Sequence, residues 1–241
     1  MDLGIAGKVA LVTAGSKGLG RASAMALAQE GAKVAICARG EEALRATEAE
    51  LAGLTETLAV VADVTDPAAP AALVAQTVER FGAIDILVAN AGGPPAARSL
   101  DVDEAGFAAA LNSNFVTSAR LVQAAVPHMR TAGWGRICLL TSDSIKQPIP
   151  SLAMSNAART GLWAWAKTAA ADVFPDGITI NTVCPGLHNT DRIKQLRMGE
   201  GRALGDPADF GKVVAFVCSQ PAKYLSGAAI LVDGAHSAGL F

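Results

Sequence analysis

Val9-Ala10-Leu11-Val12-Thr13-Ala14-Gly15-Ser16-Lys17-Gly18-Leu19-Gly20-Arg21 decides the fold, because an apolar run enters a glycine-rich turn and leaves as a helix. Residues 9 to 12 are short, β-branched-rich and bounded by turn residues, the pattern of a buried parallel strand, whereas Ala22 to Gln29 is built of strong helix formers. A glycine turn at such a junction exposes backbone N–H groups at the positive end of a helix dipole, a setting suited to phosphate. The spacing is not a literal G-x-G-x-x-G, so on its own it specifies no more than a tight strand-to-helix connection.

The rest of the chain repeats that unit. Strands are expected at Lys33 to Ala38, Thr57 to Val61, Ile84 to Ala89, Arg136 to Leu140, Ile178 to Val183 and Ala229 to Val232. Helices are expected at Glu41 to Leu51, from Pro67 (capped by Asp66) to near Phe81, at Leu152 to Val173 and at Pro207 to Cys218. Between them Leu111, Phe115, Val122 and Val126 recur at helical spacing and mark a buried stripe. Strands joined by helices demand a parallel sheet with right-handed crossovers. The expected architecture is α/β: a single-domain Rossmann fold, residues 1–241, with a doubly wound seven-stranded parallel sheet and helices on both faces.

Composition agrees. The 241 residues are 51% hydrophobic and only 17% charged, as suits a sheet covered on both sides. A net charge of −2 with scattered Lys and Arg excludes a nucleic-acid stripe and a polybasic membrane patch. Cys37, Cys138, Cys184 and Cys218 are far apart, without C-x-x-C or metal-ligand spacing, and read as buried small hydrophobes in a reducing compartment. No metal site is expected. The start carries no signal-peptide pattern and no run of about 18 apolar residues occurs, so the expectation is a soluble, cytoplasmic protein.

In a doubly wound sheet, ligands bind beyond the carboxyl ends of the strands, at the switch in strand order. Six segments fall there: Thr13 to Gly20, Arg39, Asp63, Asn90-Ala91-Gly92-Gly93, Thr141-Ser142 and Cys184-Pro185-Gly186. Over essentially its whole length the chain resembles the short-chain dehydrogenase/reductase family. Thr13 to Gly20 looks like its T-G-x-x-x-G-x-G turn with Ala14 in place of the first glycine. Asp63-Val64 resembles the adenine-contacting pair, Asn90-Ala91-Gly92 the N-A-G motif, and Pro185-Gly186 with Thr190 the P-G-x-x-x-T segment that holds the nicotinamide carboxamide. The resemblance implies a Rossmann sheet binding NAD(P), in a homodimer or homotetramer. The cofactor-binding residues expected from it are Thr13, Gly15, Ser16, Lys17, Gly18, Leu19, Gly20, Arg39, Asp63, Val64, Asn90, Ala91, Gly92, Arg159, Pro185, Gly186, His188 and Thr190. Alanine resists the positive φ open to glycine, yet Gly15, Gly18 and Gly20 still permit close backbone approach, so the pocket is expected to survive Ala14.

Charge then separates the two dinucleotides. NAD sites usually place an acid near the end of the second strand for the ribose 2′-OH, whereas a 2′-phosphate needs cations. Here that position is Arg39, with Lys17 in the glycine turn. In the resembling family this pairing goes with NADP(H).

The catalytic signature departs from the pattern. The family uses Asn, Ser, Tyr and Lys, the last two as Y-x-x-x-K on the long helix. Asn114 and Ser142 match the first two, but Ser155 and Arg159 occupy the Y-x-x-x-K positions, and Tyr224 is the only tyrosine. An aliphatic hydroxyl is a far weaker acid than a phenol, so Ser155 orients a carbonyl better than it protonates one. Arg159 lies one helical turn from Ser155 and keeps a permanent charge for the nicotinamide ribose. The expected catalytic set is Asn114, Ser142, Ser155, Arg159 and His188. In it Asn114 supports a water relay, Ser142 and Ser155 position the carbonyl, and the proton comes from water or from His188, an imidazole being able to act as a general acid. Lys146 is a further residue able to reach inward.

The substrate loop, about 187–206, is shorter than the family's. That leaves an open cleft, a carrier-bound substrate or a partner subunit's contribution as alternatives. Trp163 and Trp165 are expected in the core or at a subunit interface. The reading is an NADP(H)-dependent oxidoreductase of ketones and alcohols, resembling 3-oxoacyl-[acyl-carrier-protein] reductases. The alternatives are a catalytically silent NADP-binding regulatory or scaffold protein, and an isomerase or lyase on the same fold.

Overall fold

The apolar run at the start is strand β1, Val9–Val12, buried along its whole length. The structure, a computed structural model, describes residues 1–239. Strands β2 (Lys33–Ala38), β3 (Thr57–Val61), β4 (Ile86–Ala89), β5 (Gly135–Leu140), β6 (Ile178–Pro185) and β7 (Ala229–Val232) join β1 in one sheet. All pairings are parallel, and the order is β3-β2-β1-β4-β5-β6-β7. The order reverses between β1 and β4, which places the crevice where the glycine turn leaves the sheet.

Successive β1 side chains face opposite layers. Ala10 and Val12 pack with Leu27 of helix α1 (Gly18–Gln29), Leu44 of α2 (Glu41–Ala52) and Phe210 of α8 (Pro207–Val217). Leu11 packs instead with Leu73 of α3 (Ala69–Phe81), Val122 of α5 (Thr117–Ala132) and Leu162 of α6 (Ala153–Val173). Two short helices, α4 (Glu104–Leu111) and α7 (Asp191–Gln195), complete the count among the described α-helices. The result is a single-domain, doubly wound Rossmann-like α/β fold.

Several boundaries differ from the sequence expectation for identifiable reasons. Helix α1 begins at Gly18 rather than Ala22, so the last residues of the glycine turn are already helical. The third helix begins at Ala69, not Pro67. Asp66 Oδ1 accepts from the Ala68 N–H at 2.9 Å, and the intervening turn is closed by Ala69 N–H to Asp66 O at 3.1 Å. Strand β4 starts at Ile86 because Asp85 turns its carboxylate to the Val9 N–H (2.9 Å) and to Lys8 (3.1 Å) at the strand entrance.

The apolar stripe is also corrected: Leu111 is 40% exposed, while Val122 and Val126 are buried. Between α4 and α5, Asn112–Val116 forms a π-helical turn. Its extra residue shifts the helical phase, so spacing counted across it no longer reports one face.

Candidate active site

At the carboxyl ends of β1, β2, β4, β5 and β6 lies a cleft of about 930 Å³. Its floor begins at the glycine turn. Thr13 is fully buried and does not face the cleft. Its hydroxyl donates to Asn90 O (2.7 Å) and accepts from the Asn90 N–H (2.9 Å), locking the ends of β1 and β4 together. Gly15 and Gly20 likewise stand behind the wall. A methyl at Gly15 would meet Ile36, and one at Gly20 would overlap the Ala14 carbonyl and crowd the Asn90 amide. Ala14 adopts φ 46°, the left-handed conformation that its own methyl opposes.

This leaves Ser16, Lys17, Gly18 and Leu19 on the cleft surface. Helix α1 has no side-chain cap and no acidic residue in its first turn. Its free N–H groups point where a diphosphate is best held. Farther out, Arg39 and Asp63 approach to 3.8 Å. Asp63 accepts from the Thr65 N–H (3.0 Å) and hydroxyl (2.8 Å). These bonds, backbone first, and secondarily Arg39 hold its carboxyl below the usual range. Val64 also lines this end, and its carbonyl accepts from the Thr117 hydroxyl at 3.2 Å. Uncapped helix, close-packed glycines and a basic rim fit a dinucleotide.

The same cleft is lined by Asn90, Ala91, Gly92, Ser142, Ser155, Arg159, Pro185, Gly186, His188 and Thr190, with Thr190 standing beside Gly18 of the glycine turn. Ser155 and Arg159 share the inward face of α6 and are buried. The Arg159 guanidinium donates to Leu140 O at 2.8 Å, to Thr141 O at 3.1 Å and to Ala91 O at 3.5 Å, tying the ends of β4 and β5. Burial, and then the neighbouring Arg192, push its pKa down to about 10, which leaves it a cation at neutral pH.

Asn114 stands behind the cleft in the π-turn, 1% exposed. Its Nδ2 donates to the Ser113 hydroxyl at 2.8 Å, whereas its buried Oδ1 has no protein partner. A buried acceptor left open in this way calls for a bound water.

His188 is 4% exposed. Its Nδ1 lies 3.2 Å from Gly186 O. A carbonyl only accepts, so the ring proton belongs on Nδ1. The ring packs edge-on against Phe210 at 5.1 Å, and its Nε2 side covers Gly205. Lys146 does not reach inward: its ammonium sits 4.2 Å over the Trp163 ring, where the cation meets a π face. Trp165 packs against the core and stands 6.3 Å from Phe115.

Ser113, Asp143 and Arg192 are among the cleft residues that the sequence did not mark. Ser113 is brought in by the π-turn. Asp143 directly follows Ser142, and a carboxyl one residue beyond a strand-end serine was the available signal. Arg192 of the short loop donates to Pro94 O at 2.6 Å, so this loop bridges to the segment after β4.

A family model described as Enoyl-(Acyl carrier protein) reductase matches residues 13–236. The chain belongs to the short-chain dehydrogenase/reductase family. It is 35% identical over 246 residues to dehydrogenase/reductase SDR family member 4 of Homo sapiens, covering 95% of this chain and 87% of that protein. It is 32% identical to the 3-oxoacyl-[acyl-carrier-protein] reductase of Vibrio cholerae, covering 96% and 98% of the two chains. Among solved structures, L-sorbose reductase from Gluconobacter frateurii, complexed with NADPH and L-sorbose, superimposes with a TM-score of 0.91 at 30% identity, covering 97% and 98%. A 7α-hydroxysteroid dehydrogenase complexed with NADH gives 0.91 at 27% identity, covering 97% and 96%. In this short-chain dehydrogenase/reductase the four cysteines are free and buried, and burial raises Cys37 to about 12, an unreactive thiol. Among the described residues no cluster of three His, Cys, Asp or Glu could hold a metal, and no helix is long and apolar enough to cross a membrane.

Proposed function

We propose that this protein is an NADP(H)-dependent oxidoreductase interconverting a ketone and an alcohol through a Ser/Arg variant site. The observation that carries this reading is that the uncapped α1 N-terminus and the pair Ser142 and Ser155 line one continuous cleft. NADPH bound there supplies a hydride for a carbonyl carbon. Ser16, Gly18, Leu19, Asn90, Ala91 and Gly92 cradle the dinucleotide, Asp63 and Val64 flank its adenine, and Pro185, Gly186 and Thr190 receive the carboxamide. Lys17 and Arg39 supply the cations that a 2′-phosphate requires, and no acid stands at the end of β2.

Ser142 and Ser155 orient the carbonyl oxygen with two hydroxyls. Arg159, charged and fixed by three carbonyls, holds the nicotinamide ribose. His188 forms the wall beside the nicotinamide, and the open Oδ1 of Asn114 holds a relay water. The substrate loop, 187–206, covers the reacting end, and a 3-oxoacyl group on a carrier is a candidate substrate. The active form proposed is a homodimer or homotetramer, which light scattering tests directly.

The test is consumption of NADPH with a broad ketone panel, run alongside NADPH binding. Tight binding with no turnover on any member defeats the proposal. The double variant Ser155→Tyr with Arg159→Lys separates it from a silent NADP-binding protein: activity gained from an inert parent favours the silent reading, and activity lost from an active parent favours catalysis. Substrate conversion without net NADPH oxidation identifies an isomerase or lyase.

A further inference from the structure

A carbonyl reduced in this cleft needs a proton donor that position 155 does not supply. The His188 proton is directed at Gly186 O, and Lys146 lies over Trp163. One acidic group remains beside the substrate-orienting hydroxyls. Asp143 opens the short turn after β5, lines the cleft and is 5% exposed. The Ser142 hydroxyl donates to its Oδ1 at 3.0 Å and accepts from the Ser144 N–H at 3.1 Å. Among the described residues no Lys, Arg or His nitrogen lies within ion-pair distance of the Asp143 carboxyl.

We infer that Asp143 is the proton reservoir of the site, acting through Ser142. This inference rests on the carbonyl-reduction reading above. Hydride addition to the carbonyl carbon, with NADPH as donor, leaves an electron pair on the oxygen. For this the 3.0 Å contact between Ser142 Oγ and Asp143 Oδ1 reverses its direction when a carbonyl binds. The Ser142 hydroxyl turns its proton to the carbonyl oxygen, and the protonated Asp143 carboxyl donates to Ser142 Oγ. The oxygen then forms an O–H bond with the Ser142 proton while Ser142 Oγ takes the Asp143 proton. The products are the alcohol, an intact serine and an Asp143 carboxylate, which takes up one proton (H3O+) from bulk solvent to complete the net consumption of one proton per carbonyl reduced. Alcohol oxidation runs the same bonds in reverse.

The surroundings shift Asp143 toward its protonated form. Burial is the largest influence and raises the Asp143 pKa above the usual carboxyl value, and Asp233 adds to it. The Ser142 hydroxyl, His236 and the Ser144 N–H oppose it. Cys184 on β6 faces the same carboxyl, and Lys146 acts on that thiol from the turn that carries Asp143. A carboxyl whose proton is held more tightly by burial is better placed to act as a hydrogen-bond donor and general acid than an exposed one.

Asp143→Asn preserves size and burial and removes only the transferable proton. Its fold and NADPH affinity are checked by thermal melting and fluorescence titration. The expected result is a kcat for ketone reduction lowered roughly 100-fold, the scale of lost general acid catalysis, with the alkaline fall in the parent pH profile flattened. His188→Gln retains that alkaline limb. In the protein without nucleotide, infrared difference spectra show a carboxylic-acid C=O band that disappears in Asp143→Asn. Turnover by Asp143→Asn within threefold of an active parent, or a carboxyl fully ionised at neutral pH, overturns the relay. A parent that reduces no carbonyl defeats the functional reading itself, and the relay falls with it.

Discussion

The carbonyl of Ala14 lies so close over Gly20 that a methyl group at position 20 would overlap it. The carbonyl belongs to the backbone and the methyl is fixed directly to it, so neither can swing aside. Gly20→Ala is expected to weaken NADPH binding at least tenfold and to lower unfolding stability by about 1–3 kcal/mol, the range for overpacking a close contact. Fluorescence titration and urea denaturation measure the two effects separately.

Ala14 itself is the opposite case. At φ 46° its methyl group meets a strain of about 1–2 kcal/mol that glycine avoids. Glycine forfeits part of that gain through the greater freedom of its unfolded chain. Ala14→Gly is therefore expected to stabilise the protein by about 0.5–1 kcal/mol, read as a higher urea midpoint at unchanged slope.

Arg39 stands at the outer rim, paired loosely with Asp63 at 3.8 Å. Arg39→Asp puts an acid where a 2′-phosphate would lie and beside an existing carboxylate. NADPH affinity is expected to drop roughly 10- to 100-fold, the worth of one or two charge-assisted bonds, with a much smaller change for NADH. Calorimetric titration with both dinucleotides gives the ratio.

The Asp143 pKa is raised by folding, so its proton is held more tightly in the native state. Stability from this group is fully present below the ordinary carboxyl value of 3.8 and is lost as pH rises through the folded value. Denaturation curves of the parent and Asp143→Asn should therefore diverge across that window, the parent losing stability relative to the variant as pH increases. Asp63 behaves oppositely: its lowered pKa contributes stability that disappears as pH falls. Comparing Asp63→Asn under the same conditions checks the sign.

The glycine turn, the strand ends and the alternation of β and α were legible because each rests on local chemistry: continuous apolar runs, turn residues and helix formers. Lys17 and Arg39 were found by their place after strands, and Ser155 and Arg159 by the positions that the family resemblance assigns on the long helix; all four line one cleft. Leu111 was misplaced because a π-turn leaves no periodic trace in composition. The bonding of Arg159 to three carbonyls, and the burial of the His188 ring against Phe210, depend on contacts between segments distant in sequence. Periodicity cannot report those.

The π-turn at Asn112–Val116 also uncouples the rotational settings of the helices on either side. Helix α5 keeps Leu121, Val122 and Met129 against the sheet, while α4 leaves Phe107 and Leu111 at the surface. Removing one residue from the bulge to restore a regular helix rotates one half by about 100° against the other. The apolar residues of α5 and the Asn114 amide could not then both stay inward. The inserted residue thus works as a coupling between a fixed shaft and an adjustable one, so the outer face of α4 can change in sequence while the amide beside the cleft keeps its bearing.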